Sequence, residues 1–74
     1  MASRKKARLR VQAEGLRRFI NVPADRARDL HAYLRGHGVH SAPPEPAFTG
    51  VDNIELARDI DVRGVQALLN NWTL

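Results

Sequence analysis

Val51-Asp52-Asn53-Ile54-Glu55-Leu56, followed after a short link by Asp61-Val62-Arg63-Gly64-Val65-Gln66-Ala67-Leu68-Leu69-Asn70-Asn71-Trp72, is the stretch that decides the fold. In its first part Ile54 and Leu56 alternate with Asn53 and Glu55, the period of a half-buried strand. In its second part positions 62, 65, 68, 69 and 72 follow the i, i+3, i+4, i+7 spacing of one helix face. Asp59 and Asp61 stand where acids cap a helix and offset its positive end, so they are read as caps and not as paired catalytic carboxylates. Strand, turn and amphipathic helix together predict a scaffold onto which the upstream chain must fold.

Working back from it, Pro43-Pro44-Glu45-Pro46 excludes helix and makes a poor sheet interior. Residues 43–50 are therefore expected to form a stiff loop, partly polyproline, anchored by Phe48, and residues 39–42 a short extended return. Before them, Pro23 suits a first helical turn and Asp25 complements its dipole. Ala27, Leu30, His31 and Leu34 form an apolar stripe, with Arg26 and Asp29 toward solvent and Gly36 as the C-cap.

Further back, Ala7, Leu9, Val11 and Ala13 alternate with Arg8, Arg10, Gln12 and Glu14, and the run 16–22 follows Gly15. A hairpin looped at Glu14-Gly15 puts Leu9 opposite Ile20, Ala13 opposite Leu16 and Ala7 opposite Val22 on one face. The other face pairs Arg10 with Phe19, Gln12 with Arg17 and Arg8 with Asn21, while Arg18 interrupts the apolar side opposite Val11 and needs an edge or a bulge. Leu9, Ala13, Leu16 and Ile20 also fit a basic helix, but Gly15 and the cluster Phe19-Ile20-Asn21-Val22 favour strands. The expectation is an α+β fold: a single-layer sheet of three or four strands, antiparallel or mixed, with two helices packed on one face. Its order is ββαββα, or βαββα if the first strand is instead helix. Residues 1–6 form a basic flexible tail and residues 7–74 a single domain.

Composition narrows the function. A chain of 74 residues has room for one small core, and with no cysteine it has neither disulfides nor a thiolate zinc site nor a thiol nucleophile. No apolar run approaches the roughly 18 residues of a membrane span, and no signal-peptide block follows the basic start, so a soluble cytoplasmic protein without membrane association is expected. Residues 1–37 carry ten Lys or Arg against three acids, and residues 38–74 carry two against five. The formal net charge of +4 thus hides a strongly polar molecule, whose first half suits an anionic partner.

Candidate chemistry is sparse. His31, His37 and His40 lack a carboxylate at ligand spacing, so no metal and no cofactor is expected. Ser41 beside His40 has no orienting acid, and a core this small leaves little depth for a water-excluding pocket; neither an enzyme nor a small-molecule substrate is expected. The PxxP spacing of 43–46 reads as a rigid crossover before it reads as a recognition motif. The strongest binding candidate is the hairpin's open face, where Arg8, Arg10, Arg17 and Phe19 can meet phosphates and stack a base of single-stranded nucleic acid. The plainer reading of that face is a cation–π pair of Arg10 with Phe19, partly neutralised by Glu55. The chain is thus expected to be a small non-enzymatic binding module whose basic half engages an anionic macromolecule, nucleic acid foremost. The alternative is a protein-interaction or self-assembling adaptor domain, homo-oligomer included, using an exposed strand edge or Trp72.

Overall fold

A computed structural model of the chain describes residues 9–72. The expected basic tail, Ala7 and Arg8 lie outside them. Strands β1 (Val11–Glu14) and β2 (Arg17–Pro23) form a hairpin, followed by a single 3-10 turn (Ala24–Arg26) and helix α1 (Ala27–Gly36). A second hairpin, β3 (Glu45–Phe48) with β4 (Val51–Leu56), leads into helix α2 (Val62–Asn71). The order is ββαββα and the fold α+β: one four-stranded antiparallel sheet ordered β1-β2-β4-β3.

Alternation decides which way the sheet faces. Ile20 lies opposite Ile54 and Val22 opposite Asp52, so the buried residues Ile20, Val22, Ile54 and Leu56 line one face. The helices cover that face. Ala27, Leu30 and Leu34 of α1 and Val65 and Leu69 of α2 join those strand residues, and Val39, in a single core. The helices also meet each other: the Tyr33 hydroxyl donates to the carbonyl of Leu68 at 2.9 Å, and the Tyr33 and Trp72 rings lie 6.3 Å apart. Arg26, expected in solvent, instead lies over Trp72 with its guanidinium carbon 4.9 Å from the ring centroid, and pairs with Asp29 at 3.3 Å. Cation–π attraction and burial of the side-chain stem explain the placement.

The first hairpin keeps the expected faces with a different register. Val11 pairs with Ile20 and Ala13 with Arg18, two residues away from the expected partners. Gly15 and Leu16, not Glu14 and Gly15, make the turn. Gly15 has φ +58° and no other residue of the turn has positive φ, the pattern of a II′ hairpin turn with glycine first. Leu16 is thereby expelled from the sheet and is exposed. Arg18 sits in a central strand, so it escapes neither by an edge nor by a bulge; its guanidinium turns back to the hairpin tip and donates to the carbonyls of Gly15 and Arg17.

Downstream, three expectations are corrected. Residues 39–42 form no strand, only a bridge of Ser41 with Leu56 and a hydrogen bond from Ala42 N–H to the Glu55 carbonyl. The stiff 43–50 segment contains β3, an edge strand that tolerates Pro46 because its outer side needs no donor, and Phe48 anchors nothing at 62 % exposed. The C-cap of α1 is His37, one residue beyond the expected Gly36. Val39 N–H bonds to the Leu34 carbonyl and Gly38 N–H to that of Arg35, which makes Gly38, at φ +80°, the left-handed residue of a Schellman motif. At α2 the expected cap, Asp61, holds the N-cap position without a side-chain hydrogen bond, and no acid lies in the first turn.

The helix stop gives a paired test. Gly38→Ala places a Cβ on a left-handed residue and is expected to cost about 1–2 kcal/mol. Gly36→Ala, helical and with open space around the added carbon, is expected to gain about 0.4–1 kcal/mol. Urea midpoints of the two variants should therefore move in opposite directions.

Candidate functional site

The sheet face away from the helices carries Gln12 and Glu14 of β1, Arg17, Phe19 and Asn21 of β2, and Asn53 and Glu55 of β4, as cross-strand pairing requires. Glu45 of β3 lies opposite Asn53 and joins them. Arg17 donates from Nε to Glu55 Oε2 at 3.2 Å and from Nη2 to Glu55 Oε1 at 2.9 Å, a bidentate pair, with Glu14 at 3.7 Å on its other side. Its guanidinium carbon lies 4.6 Å from the centroid of Phe19, whose ring is buried at 8 % exposure. The Glu55 hydrogen bond and charge raise the Arg17 pKa, and the same hydrogen bond lowers that of Glu55, so the charged pair is favoured at neutral pH. Asn53 Nδ2 donates to Asn21 Oδ1 at 3.3 Å.

Of the four residues expected at a nucleic-acid interface, the structure brings Arg17 and Phe19 together. Arg10 is exposed just before β1, and Arg8 lies outside the described residues. Arg17, not Arg10, supplies the cation over Phe19. Among the described residues this face sets one guanidinium against the carboxylates of Glu14, Glu45 and Glu55. A shallow groove of about 410 Å³, with Phe19 and Phe48 among its lining, crosses it toward β3.

A different cationic surface lies on α1. Arg28, His31 and Arg35 are spaced i, i+3, i+7, so they share a helix edge beside the buried Leu30 and Leu34. The Schellman turn at Gly38 brings the chain back along that edge. His31, Arg35, Val39, His40, Ser41 and Pro43 line a concavity of about 200 Å³, and Pro43 is shared with a neighbouring one of about 540 Å³ that includes Arg28, Asp25 and Asp52. Arg28 and Arg35 have no carboxylate within ion-pair distance among the described residues. The Ser41 Oγ is buried and has no hydrogen-bond partner, so His40 does not hold it as a base would.

The three histidines separate. His31 and His40 share the small groove, whereas His37 packs edge-on against Tyr33 at 4.7 Å. Among the described residues no group of three His, Asp or Glu side chains is placed to hold a metal ion, and no helix is long and apolar enough to cross a membrane. Hydrophobic patterning hides the α1 surface because His31 also fits the apolar stripe; the signal is the 28, 31, 35 spacing itself. Searches against protein families, curated proteins and solved structures find no match to this chain.

Proposed function

We propose that the protein is a small non-enzymatic binding module whose basic N-terminal half engages an anionic macromolecule, foremost a single-stranded nucleic acid, in the cytoplasm. The observation that carries this reading is the pair Arg28 and Arg35, exposed on one edge of α1 without carboxylate partners among the described residues. Seven residues of helix set them about 10 Å apart along the axis, so they can meet different phosphates of one backbone. Arg17 on the sheet side contributes less, because Glu55 already holds its guanidinium and a phosphate would have to displace it.

Fluorescence anisotropy with labelled oligonucleotides across a salt series tests this. Affinity should fall steeply with salt, and Arg28→Ala with Arg35→Ala should flatten the log–log slope by about 1.4, two single-strand phosphate contacts at roughly 0.7 each. Arg17→Ala should change the slope less. No binding at low salt to either RNA or DNA sinks the proposal.

A second reading rests on the other side of the sheet. Phe48 at 62 % exposed, on the uncovered edge strand β3, favours a protein partner or self-association. Light scattering that shows a strict monomer at high concentration removes the homo-oligomer version.

A further inference from the structure

Resting on the nucleic-acid reading, we propose that the groove between α1 and residues 39–43 seats a terminal phosphate monoester of a single-stranded nucleic acid. Four residues with hydrogen-bonding side chains, His31, Arg35, His40 and Ser41, line one concavity of about 200 Å³. Val39 and Pro43 supply its apolar walls. An internal phosphodiester offers two free oxygens and one negative charge, whereas a monoester offers three oxygens and a charge of roughly −1.5 to −2. The donor set matches the second.

Ser41 is the independent sign. Buried hydroxyls are nearly always hydrogen-bonded, and one left alone costs stability. Ser41 Oγ is the one buried side-chain nitrogen or oxygen without a partner among the described residues; Ser41 lines the groove, with its hydroxyl closed to solvent beneath the wall. No hydrogen bond holds it there, so rotation about χ1 into the groove would let it give its proton to a phosphate oxygen.

The helix dipole gives a plainer account of part of the cluster, since a cation in the last turn of a helix is stabilising. That covers Arg35 of α1. It does not cover His40 or Ser41, which belong to the returning segment and reach the groove only because the turn at Gly38 folds it back. The same turn also weakens the dipole's objection to an anion here: the Leu34 and Arg35 carbonyls are already bonded to N–H groups of residues 37–39.

The experiment compares one short oligothymidine with a 5′-phosphate, a 3′-phosphate or neither, together with a phosphoserine peptide, by anisotropy. One phosphorylated end should bind about tenfold more tightly than the unphosphorylated oligonucleotide, the worth of a charge-assisted hydrogen bond in a formed site. Ser41→Ala should abolish most of that preference while raising the melting temperature by about 4 °C, because it removes an unpaired buried group. Arg35→Gln should also abolish the preference. Equal affinity for all three oligonucleotides, or a preference that survives both substitutions, overturns the seat and leaves the wider nucleic-acid reading standing. A phosphoserine peptide binding as tightly as the best oligonucleotide overturns the nucleic-acid source. Absence of binding to every oligonucleotide retires both.

Discussion

Ile54→Ala is expected to leave the protein without a cooperative unfolding transition at 37 °C. Ile54 is fully buried in β4, a central strand, opposite Ile20 and among the core residues of both helices. Removing its outer carbons forfeits burial and leaves a cavity that a close-packed core cannot collapse, at a cost of about 2–5 kcal/mol. A domain below about 70–80 residues rarely has more than about 3–5 kcal/mol in total, so this single change takes most of it. Far-UV circular dichroism against temperature should show the loss. Two comparisons make the result specific: Ile54→Val should cost only about 0.5–1.5 kcal/mol, and Val62→Ala, at 39 % exposed, about 0.5 kcal/mol or less.

Gln66→Ala is expected to be the most damaging polar substitution. The Gln66 amide lies alongside the outer edge of β1, accepting from Val11 N–H at 3.0 Å and donating to the Leu9 carbonyl at 3.0 Å, and it also donates to Asn70 Oδ1. One side chain thus stands in for a fifth strand. Alanine leaves two part-buried main-chain groups without partners, at about 1–3 kcal/mol. It also opens β1 to pairing with another chain. Urea denaturation should report the first effect and concentration-dependent light scattering the second. Gln66→Glu sharpens the test: at neutral pH the carboxylate still accepts from Val11 but faces the Leu9 carbonyl with no proton to give. Its deficit relative to the parent should shrink as pH falls through about 4.3, where a carboxyl regains its proton. If the Glu variant tracks the parent at every pH, the amide is not what closes the edge.

The elements that were legible in the sequence are those fixed by local pattern. Ile54, Leu56, Val65 and Leu69 are buried where their spacing puts them, and Leu30 and Leu34 likewise. The hairpin faces were legible because residue parity survives a shift of two, but the register was not. That depended on whether Gly15 entered or ended a two-residue turn, a choice set by its positive φ and invisible to hydrophobic alternation. β3 was hidden by its prolines, which signal irregular chain in isolation; only the presence of β4 as a partner makes the segment an edge strand.

The candidate site was less legible, for a related reason. Arg17 and Phe19 stand on alternate positions of one strand, so their shared face could be read directly, while the expected hairpin register assigned Arg10 to the Phe19 ring in place of Arg17. Glu55 belongs to a strand 38 positions away, and its bidentate hold on Arg17 depends on the β2–β4 pairing. The α1 groove needs the Schellman turn to bring Ser41 back beside His31, and a turn two residues after the helix was not specified by the helix pattern. Charge counts placed the positive charge in the first half of the chain and could not say which face carried it.

Trp72, the sole tryptophan, has the Arg26 guanidinium over its ring and the Tyr33 ring of α1 6.3 Å away, at the seam where the two helices meet. The molecule therefore carries its own optical reporter of helix docking. Indole emission follows the separation of α2 from α1, while far-UV ellipticity follows the secondary structure as a whole. Coincident transitions would mark a single cooperative unit; emission that changes first would mark α2 as the part that detaches, and with it the Gln66 cover over β1.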